Sequence, residues 1–452
     1  MMSFEITTEL LETVTSYIEA SNDTALVEYF ENMHHADIAE ILDELSFEEA
    51  IYIIKLLDSE KTSEVLMDVD DDVRERILKN LTAKEIAEEV EELDSDDAAD
   101  ILGELSEERQ EAVMSQIEDE EHVKEIEELL TYDEDTAGSL MAKELVKVNE
   151  NWTVLKCVRE MRAQAEEVTR VHSIYVIDDE EKLKGRLSLK DLLIASTKTA
   201  ISEVYIPNVD YVFDHDDLDE VSFKMRKYDL EAIPVVDDNH VLLGRITIDD
   251  MVDVIKEEAE KDYQLAAGIV EDVEADDNIL ELTKARLPWL ILGLFGGLGC
   301  VLIMDGFDES IQAIENIETL FFFTPLIAAM AGNVGVQSSA IIVQGLANDN
   351  VKGSLWNRLL KEVGLSLVNG IVLGVILIAV APFMGLEVFY SITVAVSMLC
   401  VIIVASLVGT FVPIVLDKRG IDPAIATGPF ITTSNDIFGI FLFFLIAKSM
   451  LL

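Results

Sequence analysis

After residue 286 the chain runs almost without charge. Leu287–Met304, Leu320–Asn348, Val363–Leu386 and Val388–Leu416 contain no Asp, Glu, Lys or Arg, and Ala424–Ala447 contains a single one, Asp436. A helix that crosses a bilayer needs ~20 predominantly apolar residues. Each run therefore predicts one span, the shortest being Leu287–Met304. Five spans make a helical membrane domain, because the lipid core offers no partner to an unpaired backbone group. An acid at that depth is costly and by default marks an ion path, a proton relay or a buried ion pair. No run supplies a Lys or Arg to pair with Asp436. A cation site and a proton relay both stay open.

Charge divides the chain in two. Residues 1–284 carry 26 basic and 78 acidic side chains, a net −52; residues 285–452 carry 7 and 11, a net −4. An acidic surface repels nucleic acid and attracts cations, and it also serves solubility at high salt. The three cysteines, Cys157, Cys300 and Cys400, form no CxxC pair, which fits a reducing compartment without a zinc site. The first residues, acidic and amphipathic, do not read as a signal peptide. Between spans, basic residues alternate by side: Lys284 and Arg286, then none in 305–319, then Lys352, Arg358 and Lys361, then none at 387, then Lys418 and Arg419. The positive-inside rule puts the acidic half in the cytoplasm and the C-terminus outside.

Two internal repeats organise the soluble half. Residues 1–130 show apolar side chains at helical spacing, and Asp37–Ser46 recurs as Asp97–Ser106 with 7 of 10 positions identical. This predicts a superhelix of stacked helices. Ile174–Asp191 recurs without gaps as Ile233–Asp250, identical at 8 of 18 positions. Each copy reads strand, turn, strand, then a helix opening at Ser/Thr-x-x-Asp. The polar, acidic stretch 253–284 reads as a connecting helix interrupted at Gly268. The fold class expected is thus multidomain: an all-α superhelix over 1–130, an α/β pair over 137–252, a connecting helix over 253–284 and a five-helix membrane domain over 285–452.

Candidate site residues follow from chemistry. Ala331-Gly-Asn-Val-Gly-Val-Gln-Ser-Ser339, in the second span, has two glycines and the amides Asn333 and Gln337. It reads either as a locally opened helix lining a cavity or as a small-residue packing face. In the last span Gly428-Pro429 precedes Thr432 and Asp436, which share a helix face at i, i+4. Pro429 is expected to free a carbonyl near residue 425. A hard cation such as Mg2+ takes oxygen ligands and gives up water reluctantly, which suits one carboxylate among carbonyls and hydroxyls. Asp96 and Asp100 lie on one helix face, and Asp249, Asp250 and Asp253 cluster near Glu257 and Glu258; solvated first-turn acids are the plain alternative. Ser188 and Asp191 match the Ser/Thr-x-x-Asp pattern by which CBS modules, which this repeat resembles, hold a ribose. His34 and His35 read as surface residues, and Phe321–Phe323 and Phe441–Phe444 as lipid-facing.

These parts, in this order, resemble the MgtE family of magnesium transporters and channels. The resemblance rests on the DxADIL-type repeat, Tyr132-x-Glu-Asp-Thr-Ala-Gly-x-Leu-Met141, the tandem CBS (Bateman) pair, Leu-Pro-Trp-Leu290, Ala331-Gly-Asn-x-Gly-x-Gln337 and Gly428-Pro-x-x-Thr-x-x-x-Asp436. It implies a homodimer in the plasma membrane that moves Mg2+ into the cytoplasm. Asp436 would be the pore carboxylate, with Asn333, Gln337, Thr432 and Gly428 lining the path. The soluble half would close the pore on binding Mg2+, through Asp96, Asp100 and Asp250, with Asp217, Asp219, Asp229, Asp253 and Glu258 as further ligands. The resemblance also implies ATP binding by the CBS pair, which Ser188 and Asp191 permit. Val336 and Lys261 depart from the family pattern. A proton-coupled carrier of Mg2+, Mn2+ or Co2+ is the alternative.

Overall fold

A computed structural model describes residues 6–165, 168, 170–270, 273, 278–311, 318–347, 351, 354–385, 387–426 and 428–452. It resolves into two compact units, Met1–Ile255 and Lys256–Leu452.

The N-terminal part is built from short helices, most of them opened by a capping side chain. Thr82 and Glu85 form a reciprocal capping box at the start of Ala83–Val90, and Ser46 with Glu49 does the same for Phe47–Ile54. The helices stack in two rows. One row begins at His35, Ser59, Ala83 and Glu107, each 24 residues after the last. The other begins at Phe47, Asp71, Ser95 and Glu120. Neighbours within a row pack together: His35–Glu44 on Ser59–Asp68, and Ser95–Gly103 on Glu120–Leu129. The sixty-residue sequence repeat therefore links helices of opposite rows. The packing period is shorter, because what recurs is one helix with its turn.

Inside this stack Glu89 is buried and accepts a hydrogen bond from Thr62 Oγ1 at 2.5 Å. Burial, with Glu88, Asp58 and Glu92 adding repulsion and the Thr62 bond opposing, pushes its carboxyl up to about 7. The folded state therefore holds this proton more tightly than the unfolded chain. The stability it contributes is full below about pH 4.5 and is lost as pH rises towards 7, a loss on the order of 3 kcal/mol. Metal-free soluble unit should melt progressively lower across that window, and Glu89→Gln should flatten the slope. An unchanged slope in the variant would assign it to other groups.

The second half of the unit holds two small mixed sheets. In one, Val146–Asn149 runs parallel to Ile174–Ile177, which pairs antiparallel with Leu183–Leu187 and then Ile206–Pro207. In the other, Val212–Phe213 runs parallel to Ala232–Val236, which pairs antiparallel with Leu242–Thr247. The register shifts at Val176/Ile177 and again at Val235/Val236, the same place in each repeat. The copies meet about a pseudo-two-fold axis. Lys182 bridges Val241, its own counterpart, and reciprocal bonds run from Leu183 N to His240 O (2.9 Å) and from Leu242 N to Glu181 O (3.1 Å). Tyr175, Ile177 and Leu242 fill the seam.

The segment Tyr132–Glu144 ties the helical stack to the second copy. Ala142 and Arg245 exchange backbone hydrogen bonds of 2.8 and 2.9 Å, and Ala137 N donates to Asp216 O at 2.8 Å. Val90, Leu102, Ile126, Met141, Ile246 and Met251 then share one apolar core. Stack and second copy are thereby one packed body, since burying apolar area is the dominant favourable term.

The connector differs from the expected helix over 253–284. A helix runs Ile248–Ala267, beginning inside the second copy, and ends at Gly268, whose φ of +84° suits a residue without Cβ. The next helix starts at Ile279 and carries the first span to Ile311, well beyond Leu287–Met304. Among the described residues, Thr324–Ala347, Leu355–Val380, Val388–Asp417 and Pro429–Leu451 complete five helices long and apolar enough to cross a membrane. The fourth is central: it packs on the second, third and fifth, and the first packs on the fifth. Small and hydroxyl residues permit close approach, as at Ser366 and Ser406, whose Oγ atoms lie 2.6 Å apart. Phe443 and Phe444, expected to face lipid, are buried. Phe444 lies 5.2 Å from Phe321 and 5.9 Å from Phe307 between ring centroids. Helical rotation turns those two inward, while Phe322 and Phe441 stay exposed.

Candidate metal sites

In the soluble unit the acids meet where the Ser95 helix faces the second CBS copy. Asp94 is the cap residue of Ser95–Gly103, which puts Asp96 and Asp97 in its first turn. Glu144 comes from the joining segment. It is held there by Ser95, whose backbone N donates to Oε1 at 3.1 Å and whose Oγ donates to Oε2 at 2.9 Å. Ligand atoms of Asp94, Asp96 and Glu144 lie within 4.8 Å of one another. One cation borders the group: Arg245 Nη2 is 3.3 Å from Asp94 Oδ2, and Arg245 Nε donates to the Glu144 carbonyl at 2.6 Å.

Burial sets the electrostatics. Asp96 is 8% exposed, and its Oδ1 has no hydrogen-bond partner. Burial first, then Asp97, Asp250, Asp94 and Glu144, holds the Asp96 carboxyl well above the usual carboxylate range. Burial, then Asp250 and Asp100, pushes Asp97 up to about 7. Asp250 therefore belongs with the Ser95 helix electrostatically. Its Oδ2 also accepts from Thr247 N at 3.2 Å and from Thr247 Oγ1. Close carboxylates that resist ionisation are what a divalent ion relieves.

The other expected ligands are placed differently. Asp217 caps Leu218–Tyr228, accepting from Asp219 N at 2.9 Å, and Asp229 closes that helix in the left-handed conformation. These are roles that turn geometry alone explains. Asp253 and Glu258 lie on the exposed side of the Ile248 helix, and Asp100 is exposed on the Ser95 helix. None of these belongs to the Asp94–Asp96–Glu144 group. Glu144, Asp94 and Asp97 were missing from the sequence reading. Glu144 lies three residues beyond the Tyr132–Met141 motif, and no pattern in the sequence sets it apart.

In the membrane unit the second and fifth spans bring two expected motifs together. A Cβ at Gly332 would sit 3.9 Å from Asp436 Oδ1 and 3.2 Å from Thr432 Cγ2. The second span is not opened there: Thr324–Ala347 is one continuous helix. Gly332 and Gly335 turn inward, Gly335 against Asn435 and Ile431 of the fifth span, and its carbonyl meets Gly409 of the fourth. Asn333 and Gln337, at i, i+4, stay exposed on another face. Of the two alternatives the packing face holds, at Gly332 and Gly335, and the opened helix does not; the two amides form a polar stripe on another face of a continuous helix. Buried Asn435 finds no partner for either side-chain polar atom. Ser338 Oγ donates to Glu362 Oε2 at 3.4 Å.

Pro429 is the first residue of the fifth span rather than a break within it, so its missing N–H costs no helical bond. The Gly428 carbonyl takes Thr432 N and Oγ1, both at 3.1 Å. This turn lies against the end of the connector. A Cβ on Gly428 would run into the Ala266 carbonyl, and one on Gly268 into Pro429.

The first CBS copy has a cleft of about 280 Å³ lined by His172, Ser173, Arg186, Ser188, Leu189 and Ile206. Ser188 caps the helix Leu189–Ile194, and Asp191 sits in its first turn, outside those lining residues.

Comparison with known proteins agrees with this division. Residues 324–446 match the MgtE family, described as a divalent cation transporter. Residues 33–135 match the MgtE intracellular N domain, and 137–198 and 201–257 match CBS domains. The chain is 37% identical over 321 residues to the magnesium transporter MgtE of Enterococcus faecalis, covering 71% of this chain and 70% of that one. It is 34% identical over 323 residues to that of Thermus thermophilus, covering 71% of each. Among solved structures, the cytosolic domain of the Mg2+ channel MgtE in complex with ATP aligns with a TM-score of 0.51 at 35% identity, covering 54% of this chain and all of that one. The soluble part of a magnesium transporter aligns with a TM-score of 0.50 at 27% identity, covering 56% of this chain and 98% of that one. With matches in the helical stack, the CBS pair and the span that bears Asp436, the chain belongs to the MgtE family of magnesium transporters and is a transport protein rather than an enzyme.

Proposed function

We propose that the chain works as a homodimer in the plasma membrane, passing Mg2+ into the cytoplasm along a path set by Asp436 and shutting when cytosolic Mg2+ fills the acidic site. One observation carries the pore assignment. Asp436 and Thr432 meet Gly332, and the amides of Asn333 and Gln337 stand exposed on the same helix. Polar side chains at membrane depth face a water-filled path or another protein surface, and a second copy supplies both. The basic loop residues put the soluble half in the cytoplasm and the C-terminus outside, and the related structure is described as a cytosolic domain of a Mg2+ channel.

Closure follows from charge. Two unit charges 4 Å apart interact by ~4 kcal/mol at an effective dielectric of about 20. A few such repulsions around Asp96, Asp97, Glu144 and Asp250 suffice to invert a two-state balance, which takes ~5.5 kcal/mol. Asp100, Asp217, Asp219, Asp229, Asp253 and Glu258 act as secondary ligands that fill as the domains close. Uptake of Mg2+ into proteoliposomes with and without a pH gradient tests the transport step. Entry down the Mg2+ gradient alone is expected; strict dependence on the pH gradient would make Asp436 a proton carrier instead.

The CBS pair binds one adenine nucleotide per protomer, in the cleft that Ser188 lines. A relative of this soluble half was crystallised with ATP, and the Thr247–Asp250 counterpart is closed on itself by hydrogen bonds. Mg2+ closure should be tighter with nucleotide present, and Mg2+ must tighten the nucleotide by the same factor. Calorimetry on the full chain decides it: no heat with ATP, or binding unchanged by Asp191→Ala, removes Asp191 and the cleft from the mechanism.

A further inference from the structure

Beside the carboxylate group lies a second one with a different donor. His122 and Glu125 sit at i, i+3 on the helix Glu120–Leu129, and so on one face. With Glu144 they offer ligand atoms all within 4.8 Å of one another. Glu144 is thus common to both groups. Packing of the Glu120 helix on the Ser95 helix brings them side by side.

Two observations outside the triad point to a ligand. His122 Nε2 lies 3.2 Å from the carbonyl oxygen of Val90, which can only accept. Nε2 therefore donates that bond, which leaves Nδ1 as the ring nitrogen open to a metal. A metal-binding histidine almost always gives its other N–H to such an acceptor, which fixes ring and tautomer. The second is Asp96 Oδ1, buried and unpartnered in the adjoining group that shares Glu144.

The geometry points to a site for a first-row transition-metal dication held by His122, Glu125 and Glu144, next to the oxygen-only group of Asp94, Asp96 and Glu144. Imidazole favours Mn2+, Co2+ or Zn2+ over Mg2+. Glu144, with two oxygens, can serve both ions. The soluble unit would then distinguish a trace transition metal from abundant Mg2+, with both reporting to one carboxylate. This goes beyond the magnesium reading and survives its failure, because the test measures binding and not flux.

The test uses the full chain in detergent with any affinity tag removed and Co2+ as the probe, titrated in millimolar Mg2+. One Co2+ per chain should bind and resist the Mg2+. His122→Asn and Glu125→Gln should each weaken it by at least ~10-fold, while His34→Asn and His35→Asn leave it unchanged. Pulsed EPR of the Mn2+-loaded wild-type chain should show coupling to a nitrogen nucleus, a readout that needs no variant to fold. Co2+ displaced in proportion by Mg2+, wild-type Mn2+ without nitrogen coupling, or tight Co2+ retained in folded His122→Asn would each overturn the site.

Discussion

Asp436→Ala should abolish Mg2+ uptake while leaving the protein assembled, and Asp436→Asn should do nearly the same. The carboxylate lies in the fifth span, with Thr432 one turn before it on the same face and the bare backbone of Gly332 opposite. A hydrated Mg2+ entering this place exchanges bulk water for fixed oxygens, and two carboxylates, one from each protomer, would offset its charge. The amide keeps shape and loses that charge. In a medium of low dielectric the difference is several kcal/mol, so a fall of at least ~100-fold follows. Gly332→Ala should be milder, since its methyl would meet Thr432 Cγ2 at 3.2 Å and crowd the acid without removing it. Proteoliposome flux with size-exclusion profiles of each variant gives the answer. Wild-type flux in folded Asp436→Asn would remove the acid from the path.

How far the sequence reveals this molecule depends on which partner decides each feature. The spans were legible because length and absence of charge are properties of one segment. Their ends were not. The first helix reaches back to Ile279 through Thr283 and Lys284, which are polar but continue the turn outside the apolar stretch. The Gly332–Gly335 stripe read equally well as an opened helix, because Thr432, Asn435 and Gly409, which fill it, come from other spans. In the soluble unit the pseudo-two-fold of the CBS pair was implicit in the gapless repeat, down to the shared register shift. Glu144 was invisible. Nothing near it in sequence marks it, and its approach to Ser95 rests on the Ala142–Arg245 pairing across a hundred residues. His122 was passed over because a lone histidine in an acidic helix carries no pattern until Glu144 arrives.

Neutralising Asp96, Asp97 and Asp250 together to Asn should leave a transporter that stays open at cytosolic Mg2+ levels that shut the wild type. Burial, with Asp250 adding repulsion, holds the carboxyls of Asp96 and Asp97 above the usual carboxylate range, so the folded unit without metal is strained by its own acids. Amides relieve that strain and remove the reason for a dication to bind. The triple variant should therefore melt higher than the wild type without Mg2+ and gain almost nothing from adding it. The wild type should gain about 2.7 kcal/mol when Mg2+ is a hundredfold over its dissociation constant, or ~5–10 °C in Tm for a unit of this size. The consequence for transport runs along a single element. Asp250 stands in the first turn of the helix Ile248–Ala267, about 24 Å from Ala266 at 1.5 Å per residue. Ala266 and Gly268 abut Gly428 and Pro429, the turn that starts the Asp436 helix. On the proposed closure, a dication bound at Asp250 would act on the pore through this helix, whose far end meets the turn before Asp436. Patch recordings at rising cytosolic Mg2+ separate the cases. If the variant loses Mg2+-dependent stabilisation but still closes at the wild-type concentration, the acids bind Mg2+ without governing the pore. If it keeps both, they are solvated surface and the sensor lies elsewhere in the unit.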